Sequence, residues 1–255
     1  MTKIVALANQ KGGVGKTTTA INLGASVAAC ERRVLLVDLD PQSNASSGIG
    51  VTDAEPSMYD VLIENMPLRE IIRPTEIPTL YLAPSSVDLV GAEVELRDAI
   101  GREYYLKRVL DPIAADYDYI LIDSPPSLGL LTVNGLTAAN SVLVPLQAEY
   151  FALEGVSQLL ATIDRVRGAV NRELEIEGIV LTMYDERMNL ARQVAEEVRT
   201  HFGDKVYKTV IPRNVRLSEA PSFGKPIILY DIRSRGSEAY VSLAREFIQR
   251  AENVI

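Results

Sequence analysis

NQKGGVGKTT, residues 9–18, has the glycines, lysine and threonine of a phosphate-binding loop. It follows a short apolar strand at residues 3–8 and opens a helix that begins near Lys16, the strand-loop-helix setting that such a glycine-rich loop requires. Gly12, Gly13 and Gly15 let the backbone pass close to phosphate oxygens, because no Cβ blocks the approach and positive φ costs little. Successive N–H groups then face the anion, and the helix N-terminus adds its partial positive charge at the same point. Gly12, Gly13, Val14, Gly15, Lys16, Thr17 and Thr18 are therefore the candidate nucleotide ligands, with Lys16 on the β and γ phosphates and the Thr17 hydroxyl on Mg²⁺. The loop departs from G-x-x-x-x-G-K-[ST] in two ways: position 10 is Gln, and a second lysine, Lys11, is present.

Outward from the loop, runs rich in Val, Ile and Leu recur at 3–8, 33–37, 79–83, 119–123, 141–146, 176–183 and 206–211. Near-continuous apolar strands alternating with helical spacing predict an α/β fold, a doubly wound, mostly parallel sheet with helices on both faces, and the phosphate loop makes it one of the P-loop NTPase type. Helices are expected at 154–172 (stripe Val156, Leu159, Leu160, Ile163, Val166), 189–203 (Leu190, Val194, Val198, Phe202) and 236–252 (Tyr240, Leu243, Phe247, Ile248). Residues 42–78 are the least regular and are expected to form short helices over the nucleotide. With 255 residues, 47 % of them hydrophobic, one domain spanning 1–255 is expected.

Acids end two of the strands. Asp38 and Asp40 follow Val34–Val37 at a spacing of two, so both face one side of an extended chain; either could instead form the turn before Pro41. Tyr119–Ile122 runs into Asp123, the Walker B pattern, in which the acid holds the Mg²⁺ water shell. Three residues on, where Ras-like GTPases use a glycine N–H against the γ-phosphate, stands Pro126, which has no donor. No Asn/Thr-Lys-x-Asp tetrapeptide is present to read guanine. Both features favour ATP.

Net charge is −8, yet it is unevenly spread: residues 1–181 carry 14 Lys/Arg against 24 Asp/Glu, and 182–255 carry 12 against 10. Because exposed charges are screened beyond about 8–10 Å, an acidic protein can still hold a polyanion on one basic surface. A single cysteine, Cys30, excludes an internal disulfide and fits a reducing cytosol. The first strand starts at once, leaving no room for a signal peptide, and no apolar run approaches the roughly 18 residues that span a bilayer. With one histidine, His201, the chemistry must rest on carboxylate, lysine and metal.

The two-lysine loop resembles that of the ParA/MinD group of P-loop ATPases, and TMYDERMNL (182–190) with VIPRNVRLSEAPSFGKPI (210–227) is similar to chromosomal, Soj-type ParA proteins almost residue for residue. The resemblance covers the whole chain. It implies that Lys11 reaches across a homodimer to the partner's ATP, that Asp40 orients or activates the attacking water, and that Asp38 joins Asp123 and Thr17 around Mg²⁺. It implies adenine contacts from Pro212 and Asn214, though an Asn before a helix is also a cap. It also implies a contact from Glu149 across the dimer, at a position where a plain loop glutamate would look the same. Arg187 and Arg216 would bind double-stranded DNA without sequence preference, with a ParB-type centromere-binding partner stimulating slow hydrolysis in a cytoplasmic, nucleoid-associated protein. A MinD-like membrane switch would need a C-terminal helix with a basic polar face, whereas 244–252 mixes signs. A regulator that binds ATP without turnover is disfavoured by Asp40 together with Lys11.

Overall fold

Strands too apolar to face water on either side form the middle of one sheet, and their order places the phosphate loop. The computed structural model describes residues 2–52, 54–149 and 152–252. In chain order the elements begin with β1 (Lys3–Leu7), α1 (Lys16–Ala28), β2 (Val34–Asp38), α2 (Asn44–Gly48), α3 (Met58–Ile63) and α4 (Leu68–Ile71). There follow β3 (Arg73–Pro74), β4 (Leu80–Ala83), α5 (Leu89–Glu95), α6 (Tyr105–Leu110), β5 (Tyr119–Asp123), α7 (Leu130–Ala138) and β6 (Ser141–Gln147). The remainder are α8 (Ala152–Ala169), β7 (Glu175–Thr182), α9 (Asn189–Phe202), α10 (Val215–Glu219), α11 (Ile227–Tyr230) and α12 (Arg235–Glu252).

The sheet order is β3-β4-β2-β5-β1-β6-β7, parallel throughout except for β3, which pairs antiparallel with β4. Successive side chains alternate between two cores. Ile4, Ala6, Leu35, Val37, Ile120 and Ile122 face one, with Leu131, Ile163 and Val194 from α7, α8 and α9. Val5, Leu7, Val34, Leu36 and Leu121 face the other, with Leu23 of α1 and Leu243 and Phe247 of α12. Each such Val, Leu, Ile or Phe side chain contributes about 1.5–3 kcal/mol on burial, so β2 and β5, buried at every position, hold their terminal acids on a stiff support. The Thr19 hydroxyl meets the Tyr240 hydroxyl at 3.1 Å and ties α1 to α12.

Two expectations need correction. Residues 206–211 do not form a seventh parallel strand. The Tyr207 and Ile211 N–H groups still reach the Ile179 and Leu181 carbonyls of β7, but only single bridges form, Val206 to Ile179 and Pro212 to Tyr184, because between them the N–H groups of Lys208 and Thr209 donate to the Glu246 carboxylate on α12, at 2.8 and 2.9 Å. The remaining strand is instead β3, inside the irregular 42–78 stretch. In α9 the buried stripe is Ala191, Val194, Ala195 and Val198, and Leu190 is exposed, because the helix turns its small alanines toward the sheet for close approach.

Candidate nucleotide site

The phosphate loop is pinned at both ends to the sheet. Asn9 donates from Nδ2 to the Pro145 carbonyl (2.7 Å) and accepts from the Lys11 N–H (3.0 Å), and the Thr182 hydroxyl donates to the Val14 carbonyl (2.7 Å). Gly13 and Gly15 sit at φ 73° and 87°, where only glycine is unstrained. Gly12 has no such φ, and a Cβ built on it would meet nothing within 4 Å. Packing within the chain does not demand a glycine there, which leaves close approach of a ligand as the physical reason for one. Thr17 and Thr18 stand half-buried in the first turn of α1.

Lys16 is buried and donates to the Lys11 carbonyl at 3.3 Å. Burial lowers its pKa, while Asp123 and Asp40 nearby pull it back up. Lys11 behaves differently. Its Nζ lies at the surface and pairs with Glu149 Oε2 at 2.6 Å, and Glu149 is held from its other oxygen by Gln147 Nε2.

Asp38 and Asp123 are register partners on neighbouring strands, and both are fully buried. Asp38 accepts from the Ser46 N–H (2.8 Å), the Ser46 hydroxyl (2.7 Å) and the Asp40 N–H (3.1 Å). Burial still pushes its pKa up to about 6. Asp123 is raised well above the usual carboxylate range, first by burial and then by Asp38, with the nearby Thr17 hydroxyl opposing. That hydroxyl does not close a hydrogen bond of ordinary geometry, so both carboxylate oxygens of Asp123 are without partners. Two buried carboxylates, both pushed up by burial despite Lys16 near Asp123, fit a divalent cation. Among the described residues no cage of three or more metal-ligating side chains gathers, which fits Mg²⁺ held by one or two acids plus phosphate and water.

Asp40, also buried, accepts from the Gln42 N–H at 3.0 Å, so it does form the turn after Pro41. Its other oxygen accepts no hydrogen bond among the described residues. Pro212 bridges to Tyr184, and Asn214 Oδ1 accepts from the Arg216 N–H at 2.9 Å, capping α10. The cap therefore accounts for that oxygen, and the Asn214 Nδ2 makes no hydrogen bond among the described residues. Ser46, which clamps Asp38 and also accepts from the Ser85 N–H at 3.1 Å, escaped the sequence reading. So did the Asn9 and Thr182 anchors. Asn9 lies inside the quoted loop, whereas nothing local marks Ser46 or Thr182.

Burial outweighs what Ser46 and Lys16 give back to these acids, which sets a stability prediction. A raised carboxylate pKa contributes stability fully present below the ordinary 3.8 and lost as pH rises through the folded value, here about 6 for Asp38. Asp123→Asn is thus expected to raise the melting temperature of the nucleotide-free protein at pH 7.5, at about 2–4 °C per kcal/mol relieved, and to lose that advantage toward pH 4. The same variant should lose the extra stabilisation that Mg²⁺ adds to ATP. Calorimetry at the two pH values checks both.

A glycine loop at the end of β1, a buried lysine, and paired acids on adjacent parallel strands define a P-loop nucleoside triphosphatase. The family model described as an AAA domain matches residues 2–176. Chromosome partitioning protein ParA of Myxococcus xanthus is 57 % identical over 250 residues, covering 97 % of this chain and 88 % of its own. The chromosome-partitioning ATPase Soj of Treponema pallidum is 53 % identical over 250 residues and covers 98 % of each. A solved structure named cobyrinic acid a,c-diamide synthase, from Mycobacterium smegmatis with bound ATP analogue and magnesium, superposes with a TM-score of 0.88 at 38 % identity, covering 100 % of this chain and 98 % of that one. The chain belongs to the ParA/Soj family of chromosome-partitioning ATPases.

Proposed function

We propose that the protein is an ATP-driven dimerisation switch that holds nonspecific double-stranded DNA as the ATP-bound homodimer and lets go after slow hydrolysis stimulated by a ParB-type partner. The observation that carries this reading is the division of labour between the two loop lysines. Lys16 is buried against its own loop and serves the nucleotide in cis, whereas Lys11 projects at the surface, where a second molecule can bring it a phosphate. A cation supplied in trans makes triphosphate binding and dimerisation one event.

ATP lies with its phosphates over Gly12, Gly13, Val14 and Gly15 and at Lys16, Thr17 and Thr18, and its adenine near Pro212 and the Asn214 amide nitrogen. Mg²⁺, held by Thr17 and by Asp38 and Asp123 through its water shell, would neutralise charge on the β and γ phosphates. Ser46 orients Asp38, and the free oxygen of Asp40 orients the attacking water. Lys11 and Glu149 leave each other for the partner's nucleotide. Their exposed pair is worth about 0–1 kcal/mol, so the exchange costs little.

Arg187 and Arg216 are exposed, and the bridge between Tyr184 and Pro212 brings their segments together, which supports a shared phosphate-binding surface. Phosphate contacts hold a duplex without reading its bases, as a cargo carrier on a nucleoid requires. The C-terminal helix argues against lipid docking: α12 buries Tyr240, Leu243, Ala244 and Phe247 in the core, and no helix among the described residues is long and apolar enough to cross a membrane. DNA binding with ATP is expected to weaken in Arg187→Ala and Arg216→Ala, with the log–log salt slope falling by about 0.9 for each DNA phosphate that is no longer neutralised. An unchanged slope in a salt titration would remove that arginine from the interface.

A further inference from the structure

Both arginines assigned to DNA are already engaged in cis. The Arg187 guanidinium forks onto Asp185, Nε to Oδ1 at 2.9 Å and Nη2 to Oδ2 at 2.7 Å, while the Arg187 N–H donates to the same carboxylate at 3.1 Å. Arg216 Nη1 pairs with Glu219 Oε2 at 2.8 Å, and its Nε faces Asp231 at 3.6 Å. Neither acid is a loose surface group. Asp185 is fixed by its own turn, and Glu219 accepts from the Tyr230 hydroxyl at 3.1 Å. The Arg187 fork pulls Asp185 down to about 2, so the pair stays ionised across the physiological range. Arg213 lies close enough to add its field to Asp185, yet has no ion-pair partner among the described residues.

We propose that Asp185 and Glu219 are internal phosphate mimics that mask Arg187 and Arg216, so that a DNA phosphate must displace a carboxylate at each and the affinity of the surface is held down. A carboxylate taking the bidentate fork occupies the geometry a phosphate would use. Exposed pairs of this kind are weak and exchangeable, so the mask tunes the affinity without abolishing binding. A single subunit, with two masked arginines, would bind poorly, and a dimer, presenting four, would bind through their sum. The inference rests on the DNA-binding function proposed above and adds Asp185 and Glu219 to it.

The test compares equilibrium binding of a random-sequence duplex, with ATP and across a salt series, for wild type, Asp185→Asn, Glu186→Gln, Arg187→Ala and the double variant Asp185→Asn/Arg187→Ala. Asparagine keeps the turn, since its side-chain oxygen still accepts from the Arg187 N–H. Asp185→Asn should bind about 3- to 10-fold tighter, the scale of one exposed ion pair per subunit, with a steeper salt slope. Glu186→Gln removes the same charge from an exposed neighbour that makes no hydrogen bond to Arg187, and should gain about 2-fold or less. The double variant should bind like Arg187→Ala. If Asp185→Asn and Glu186→Gln gain equally, only net charge matters and the mask is overturned. If Arg187→Ala weakens binding while Asp185→Asn changes nothing, the DNA surface stands and the mask falls. If Arg187→Ala binds as wild type, both fall at this residue.

Discussion

Replacing Asp40 by alanine is expected to slow ATP turnover by about 10²- to 10⁴-fold, the usual worth of a positioned group that orients or deprotonates the nucleophile, while ATP still binds. The geometry separates the two functions. Asp38 and Asp123 stand on stiff buried strand ends, where the metal is proposed to bind; Asp40 stands two residues beyond Asp38, with one oxygen spent on the Gln42 N–H and the other free among the described residues. Removing it leaves the glycine loop, Lys16 and the paired acids in place. Asp40→Asn keeps the Gln42 bond and should be nearly as slow, since a neutral amide is a poor acceptor for a water proton. A single-turnover assay with a separate ATP-binding measurement checks this, and an Asp40→Ala protein that hydrolyses normally would remove the residue from the chemistry.

Lys11→Ala should be more damaging to the switch than to the fold. The side chain is exposed and its one partner among the described residues is the exposed Glu149, so the free subunit should lose at most about 1 kcal/mol. A cation delivered in trans to a phosphoryl group is worth about 10³- to 10⁵-fold in turnover. ATP hydrolysis and ATP-dependent DNA binding should therefore fall by orders of magnitude while the melting temperature barely moves. Partner-stimulated turnover, thermal melts and DNA binding measured on one preparation separate these effects. A Lys11→Ala protein that still binds DNA with ATP would contradict the trans role.

How far the sequence could be read follows from how local each signal is. The loop at 9–18 carries its glycines, lysine and threonine within ten residues between a strand and a helix, and Asp123 ends an unbroken apolar run; both are visible without knowing what they touch. The paired acids on β2 are visible for the same reason, although that Asp40 also forms a turn is settled only by the Gln42 N–H. What the sequence hid depends on distant partners. The apolar run at 206–211 has strand composition, but the N–H groups of Lys208 and Thr209 go to Glu246, 37 residues on from Thr209. Ser46 clamps Asp38 from an irregular segment with no motif. The fork of Arg187 and the ion pair of Arg216 use acids only two and three residues away, yet basic and acidic residues at such spacings are common and predict no geometry. Asn214 shows both outcomes at one residue, its oxygen spent on a cap and its nitrogen left over.

In this mechanism a triphosphate joins two copies of the chain. Sedimentation of the Asp40→Ala protein with Mg²⁺ and either ADP or ATP tests it most directly, because blocked hydrolysis preserves whatever ATP assembles. The subunit mass is 27.9 kDa. Twice that mass with ATP, and the subunit mass with ADP and in Lys11→Ala/Asp40→Ala with ATP, is the predicted result; a species that stays at the subunit mass at saturating ATP would contradict the account.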